Sequence, residues 1–305
     1  MFINYPSKKG TVPLRIIVPN LFTTIAMCCG LASISYTLKQ DWDRAMLAVL
    51  LSAVFDAMDG RAARLLKVTS PFGEVLDSLS DFLSFGVAPA MLLHEWMLKE
   101  QEIWGLLAVT AFVLCSAMRL ARFTAAARPA PPLPPGEEYR QTLLKSKFFT
   151  GLATPAAAGA VMVPVMLAYS QVVGAGVRGW FGMEMGRGPG GKLIDAPATG
   201  AGPIAAAVVI CYTILIALWM VSRVPMFSFK KMRVGRHAVV PLLVCVGLMV
   251  ALAVRDFWLL MPALALVYLG TVVVSWPSRR RIMRRPTAEL AEIKTRAAKS
   301  ERAVR

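Results

Sequence analysis

The sequence predicts an all-α integral membrane protein of about eight transmembrane helices, and three observations lead there. Hydrophobic residues make up 56% of the 305 and charged residues only 17%, with a mean hydropathy of +0.57, whereas soluble proteins carry about 25% charged residues. Apolar runs recur at the length of about 20 residues that a helix needs to cross about 30 Å of hydrocarbon. The net charge of +16 is also sorted by position along the chain rather than spread evenly.

Eight runs qualify as spans: 17–36, 44–66, 71–96, 103–123, 152–172, 203–221, 238–254 and 257–276. Placing the N-terminus in the cytoplasm sends 27 of the 34 Lys and Arg residues to the inner side and 7 to the outer. Carboxylates divide 10 and 8, so the inner side carries +17 and the outer −1. That asymmetry is the signature of membrane topology, and it accounts for the basic balance without a nucleic-acid partner. Both termini are expected in the cytoplasm, with the protein in the cell's inner membrane. The first run is long, starts behind Arg15 and lacks a small-residue cleavage site, so it should be kept as a helix.

Between the spans, the stretch from Pro129 to Pro135 reads as a cytoplasmic linker, and 174–202 as a Gly-rich outer loop with an interfacial piece at Trp180 and Phe181. Residues 277–305 form a basic cytoplasmic tail suited to anionic headgroups, which leaves 1–276 as the polytopic membrane domain. The five cysteines form no CxxC pair and read as small buried hydrophobes. His94 and His237 fall on opposite faces and receive no role.

The exceptions to the apolar pattern are Asp56, Asp59, Asp77 and Asp81, inside the second and third spans. Uncompensated, four such acids would cost on the order of 10 kcal/mol, at about 2.5–3.5 kcal/mol each near the bilayer centre. Asp56 and Asp59 share one helix face, and Asp77 and Asp81 another. Ser70 followed by Pro71 is an N-cap and first-turn pair, so the two spans should form an antiparallel hairpin. At 1.5 Å per residue, Asp56 and Asp81 lie about 16 Å from its turn, and Asp59 and Asp77 about 10–12 Å. Four carboxylates then meet at one depth. Hard oxygen ligands of this kind select Mg²⁺, Mn²⁺ or Ca²⁺, and four suffice for two ions spaced for phosphoryl transfer. Gly60 lets a ligand approach the backbone, Ala63 is small on the next turn, Arg64 is available to a phosphate, and Gly73 opens the facing helix.

The pattern DxxDGxxAR, eight residues, then GxxxDxxxD resembles the CDP-alcohol phosphotransferase family at all eight fixed positions: Asp56, Asp59, Gly60, Ala63, Arg64, Gly73, Asp77 and Asp81. The resemblance implies a six-helix core, here with two further helices, and attack of an alcohol on the phosphorus next to the diacylglycerol of a CDP-activated lipid, expelling CMP. It implies Asp56, Asp59, Asp77 and Asp81 as ligands of two Mg²⁺ or Mn²⁺ ions, with Asp81 also the base that takes the hydroxyl proton. Gly60, Ala63, Arg64 and Gly73 would line the CDP-lipid pocket, and a homodimer is expected.

Further matches resemble the phosphatidylserine synthase branch of that family: Pro19, Asn20 and Thr23 in the first span, DFLSFGVAP at 81–89, RLARF at 119–123, GLATPA at 151–156, and 220–230 ending in SFK. They imply CDP-diacylglycerol and L-serine as substrates. Arg119 and Arg122 read equally as inner-side arginines reaching the interface or as a fork for the lipid phosphate or the acceptor's carboxylate, with Asn20 a further candidate there. Arg119, Arg122, Lys145 and Lys147 keep a phosphorylated acceptor open, as in phosphatidylglycerophosphate or phosphatidylinositol-phosphate synthesis. From a different class, intramembrane acids also suit a divalent-cation transporter.

Overall fold

The computed structural model describes residues 14–66, 70–126, 148–181, 184–187, 193–196, 203–222, 225–227 and 239–283. Lys145, Lys147, His237, the Pro-rich linker and the tail beyond 283 lie outside them. The helices are α1 Leu14–Leu38, α2 Trp42–Leu66, α3 Pro71–Asp81, α4 Ala88–Leu93, α5 Glu102–Ala126, α6 Thr154–Val161, α7 Val163–Tyr169, α8 Gly174–Phe181, α9 Pro203–Val221, α10 Val239–Arg255 and α11 Phe257–Met283. Ile17–Leu38, Pro71–Ala125 and Ile204–Val221 are long and apolar enough to cross a membrane, and Leu243–Arg255 and Phe257–Gly270 are shorter apolar helices. Helix α2 matches them in length, but its apolar run is interrupted by the acids.

The second and third spans meet at their acids, with Asp77 and Asp81 of α3 facing Asp56 and Asp59 of α2, while α3 also packs on α1 and α2 on Phe82–Val87 and α4. Two of the predicted spans, the third and the fifth, are corrected in detail. The third span is not uniform, because π-helical stretches at Phe82–Val87 and His94–Leu98 flank α4. Pro89 has no N–H to offer, and the Ala88 N–H bonds the Leu83 carbonyl five residues back, which widens the turn that follows Asp81. The fifth span breaks at Met162 into α6 and α7, since Pro164 withholds another backbone donor just inside α7. The fold is all-α as expected, with two short antiparallel strand pairs beside the helices: β1 Phe148–Thr150 with β4 Pro225–Phe227, and β2 Glu184–Arg187 with β3 Leu193–Ala196, the latter inside the predicted outer loop. Ahead of that hairpin, α8 places Phe181 edge-on against Trp96 and leaves Trp180 exposed.

Helix α1 is the element that the others share. Ser52 of α2 and Ser84 of the π-helical stretch both donate to the Ala26 carbonyl, at 2.9 and 3.2 Å, and Ser80 donates to the Thr23 carbonyl at 3.2 Å. Near the opposite end, Ser33 donates to the Ala45 carbonyl at 2.8 Å. Every one of these hydroxyls is buried, so the bonds satisfy groups that would otherwise cost about 1–3 kcal/mol each in an apolar surround. The apolar core continues through Met46, Phe85, Leu92, Phe112, Met166 and Met220.

Asp256, in the turn between α10 and α11, staples the far side of the bundle. One oxygen accepts from the Ser170 hydroxyl at 2.6 Å and the Val172 N–H at 3.0 Å; the other caps α11 through the Leu259 N–H at 3.1 Å. Burial alone raises its carboxyl pKa, but the bonds from Ser170 and from the backbone of Val172, Leu259 and Gln171 outweigh burial and hold it below the usual carboxylate range. The stability that this group contributes is therefore present above the ordinary value of 3.8 and is lost as pH falls through the lower folded value. Asp256→Ala should cost about 2–4 kcal/mol and Asp256→Asn less, since the amide oxygen keeps part of the cap. Thermal unfolding in detergent from pH 7 down to 3 checks both, and the acid-side fall in midpoint should shrink in each variant.

Candidate active site

Helix α2 carries Asp56 and Asp59 one turn apart, and α3 brings Asp77 up to them from the facing side. One carboxylate oxygen from each of Asp56, Asp59 and Asp77 lies within 4.8 Å of the other two. At that spacing two unit charges repel by about 3–4 kcal/mol at an effective dielectric of 20, so the cluster is built for a cation rather than for itself. Asp81 joins from one turn further along, where its carboxyl approaches that of Asp56 to hydrogen-bonding distance. Its Oδ1 is buried with no hydrogen-bond partner. An all-oxygen set with one acceptor still unused fits the hard divalent cations expected from the sequence.

The cluster borders an open cleft of about 520 Å³ whose walls come from α1, α2 and α3. Gly60 faces empty space, with no atom within 4 Å of where a Cβ would stand, and Ala63 lies beside it on the cleft wall. Gly73 is required for a different reason. A Cβ there would stand 2.8 Å from Asn20 Oδ1 and 3.0 Å from Ser70 Oγ, and the Ser70 hydroxyl is already the N-cap, accepting from the Gly73 N–H at 3.0 Å. Asn20 therefore sits on this same side of the cleft, against α3. Arg64 is exposed in the last turn of α2 and is not part of the lining.

The role of Thr23 is absent from the sequence reading. Its buried hydroxyl donates to Asp59 Oδ2 at 2.7 Å and lies 3.1 Å from the Pro19 carbonyl. This bond fixes the rotation of the Asp59 carboxylate and leaves its other oxygen for the cluster. A threonine one turn into an apolar span is the only sequence trace of it; the partner lies 36 residues away.

The two arginines part company. Arg122 is exposed and donates to the Val221 carbonyl at 2.9 Å, closing the end of α9. Arg119 is largely buried, donates through Nη1 to Thr154 Oγ1 at 2.6 Å, and lies 4.8 Å from the centre of the Phe123 ring. It is also within electrostatic reach of Asp81 and of Tyr268 on α11. Gly151 has φ +76°, a conformation open to glycine, and sits against the Met220 and Ser222 carbonyls. The segments 119–123, 151–156 and 220–222 are thus tied to one another.

The model of the CDP-alcohol phosphatidyltransferase family matches residues 16–185. Similar proteins include the CDP-diacylglycerol–serine O-phosphatidyltransferase of Mycobacterium leprae, 29% identical over 285 residues, covering 93% of this chain and 82% of that one. The enzyme of the same name from Mycobacterium tuberculosis is 34% identical over 181 residues, 59% of either chain. That from Helicobacter pylori strain 26695 is 34% identical over 149 residues, 49% of this chain and 57% of its own.

Because Thr23 orients Asp59, Thr23→Val should weaken Mn²⁺ binding by about 10- to 100-fold, the usual cost of losing a hydrogen bond behind a metal ligand. Thr23→Ser should restore it. Calorimetric or spin-resonance titration of purified protein measures this, and unchanged affinity in the valine variant would remove Thr23 from the site.

Proposed function

The chain belongs to the CDP-alcohol phosphatidyltransferase family, and from that premise we propose that it is a CDP-diacylglycerol–serine O-phosphatidyltransferase, moving the phosphatidyl group to the hydroxyl of L-serine and releasing CMP. The observation that carries this reading is the trio Asp56, Asp59 and Asp77, gathered within 4.8 Å, with Asp59 and Asp77 on the wall of a cleft. Relatives bearing that activity align over as much as 93% of the chain. A cation-transport role accounts for the acids alone and leaves the family match unexplained.

In this reading Asp56, Asp59, Asp77 and Asp81 would hold two Mg²⁺ or Mn²⁺ ions. Divalent ions held there neutralise the diphosphate and the charge that gathers on departing CMP. The chain's own residues do the rest. Gly60, Ala63 and Gly73 keep the cleft wall low enough for the diphosphate to lie against backbone, and Arg64 meets its outer face. Asp81 takes the proton from the serine hydroxyl as its oxygen bonds to the lipid-side phosphorus; the bond from that phosphorus to CMP breaks, and CMP leaves with the electron pair. The excess of inner-side cations sets the cleft toward the cytoplasm, where serine and CMP exchange while the lipid enters sideways from the bilayer, and we extend the reading to a homodimer with both termini on that side.

With purified protein, CDP-diacylglycerol and Mn²⁺ or Mg²⁺, CMP release should require L-serine, and chelation should abolish it. Release with glycerol 3-phosphate but not with serine would overturn the acceptor assignment. Asp81→Asn should keep CDP-lipid affinity within about threefold while lowering CMP release by about 10²-fold or more, the scale of a lost general base. Equal loss of binding and turnover would make Asp81 a ligand only.

A further inference from the structure

The third span and α5 are pressed together at two glycines and part between them. At the turn that joins them, Gly105 lies so close to Leu98 that a Cβ would meet the Leu98 carbonyl, and near mid-span a Cβ on Gly86 would stand 2.9 Å from Ser116 Oγ. Between those contacts lies an open groove of about 620 Å³, walled by Ala90, His94 and Glu95 on one side and by Val109, Thr110 and Val113 on the other. It sits at the end of the third span remote from Asp77 and Asp81 and shares no wall residue with the acidic cleft.

Its length and polarity match a lipid. From Gly86 to Leu98 the groove runs about 18 Å at 1.5 Å per residue, close to the depth of about 15 Å that one leaflet of hydrocarbon supplies. The charged groups gather at one end, where Glu95 Oε2 accepts from Lys99 Nζ at 2.8 Å and Oε1 lies 3.5 Å from His94 Nδ1. The deeper part, toward Gly86, is lined by Ala90, Val113 and Leu114. Both signs of charge are therefore offered at the mouth: the Glu95 carboxylate has lone pairs for a further donor, and Lys99, with 66% of its side chain exposed, has N–H groups for an acceptor. An apolar helix laid into the groove would cover His94 and Glu95 with hydrocarbon at a cost, and a purely anionic headgroup would set its charge against Glu95. A headgroup that joins a phosphate to an ammonium answers both charges.

We propose that this groove binds a membrane phospholipid with a zwitterionic headgroup, one acyl chain lying between the third span and α5, its ammonium turned to Glu95 and its phosphate to Lys99. The site is apart from the transferase centre and does not depend on which alcohol that centre uses. A lipid seated there fills the space between the two glycine contacts and braces the span that carries Asp77 and Asp81 against α5.

Native mass spectrometry of the delipidated full-length protein, titrated with phosphatidylethanolamine and phosphatidylglycerol of identical acyl chains, tests this, because the two lipids share the phosphate and differ in the ammonium. The first lipid adduct should favour phosphatidylethanolamine by about tenfold or more, the scale of a hydrogen bond to a charged group. Glu95→Gln should bring the two lipids within about threefold of each other. Val113→Trp, which fills the groove, should lower retention of both by about tenfold; if that variant does not fold, the glutamine variant decides alone. Equal binding of the two lipids by the wild-type protein, or a preference that neither variant moves, would overturn the site and leave an unselective lipid belt. Conversion of a dimer to monomers by Val113→Trp, with lipid retention unchanged, would overturn it in favour of a second copy seated in the groove.

Discussion

Everything in this bundle answers to one electrostatic demand: several carboxylates must stand within a few ångströms of each other inside an apolar helical assembly. Repulsion of about 3–4 kcal/mol per pair at such distances, added to the cost of withdrawing each charge from water, works against the arrangement. Side-chain packing alone cannot hold it, because an aspartate that swings away relieves the strain at once. The structure therefore ties the acids to elements fixed by other bonds.

Helix α1 supplies those ties. It carries no acid of the cluster, yet its Thr23 hydroxyl fixes Asp59, its Thr23 carbonyl receives Ser80, and its Ala26 carbonyl receives both Ser52 and Ser84. The two acid-bearing helices are thus both registered against a common third member, and a cleft stays open among the three. The widened turn at Phe82–Val87 belongs to the same solution. It lets Ser84 and Phe85 pack inward immediately after Asp81, while the straight α-helix before it keeps Asp77 on the cleft wall and Asp81 one turn behind.

The acids and their helix faces were legible in the sequence because the evidence for them is local: spacing of three and four residues, a Ser-Pro start that the structure confirms at Ser70 and Pro71, and charged groups conspicuous in apolar runs. The means of assembly were not legible. A serine in an apolar span gives no sign of which carbonyl it will meet, and the partners here lie 26, 57 and 58 residues away. Arg119 and Arg122 look alike as neighbours one turn apart, and only the position of the end of α9, 99 residues downstream, separates the structural one from the other. The break at Met162 could have been read from Pro164, but overall hydrophobicity outweighed that local signal.

The site has two halves of different origin. The acids and small residues of α2 and α3 lie within the span 56–81 and make one wall, whereas the segments 119–123, 151–156 and 220–222 are joined to one another by Arg119 to Thr154, Arg122 to Val221 and Gly151 against Met220. In the proposed transferase reading, metal binding and leaving-group chemistry need the first half to be nearly invariant in geometry, since a shift of one carboxylate misplaces the charge it must offset. With the two halves on separate stretches of chain, one bundle can keep the acidic half fixed while the other half varies.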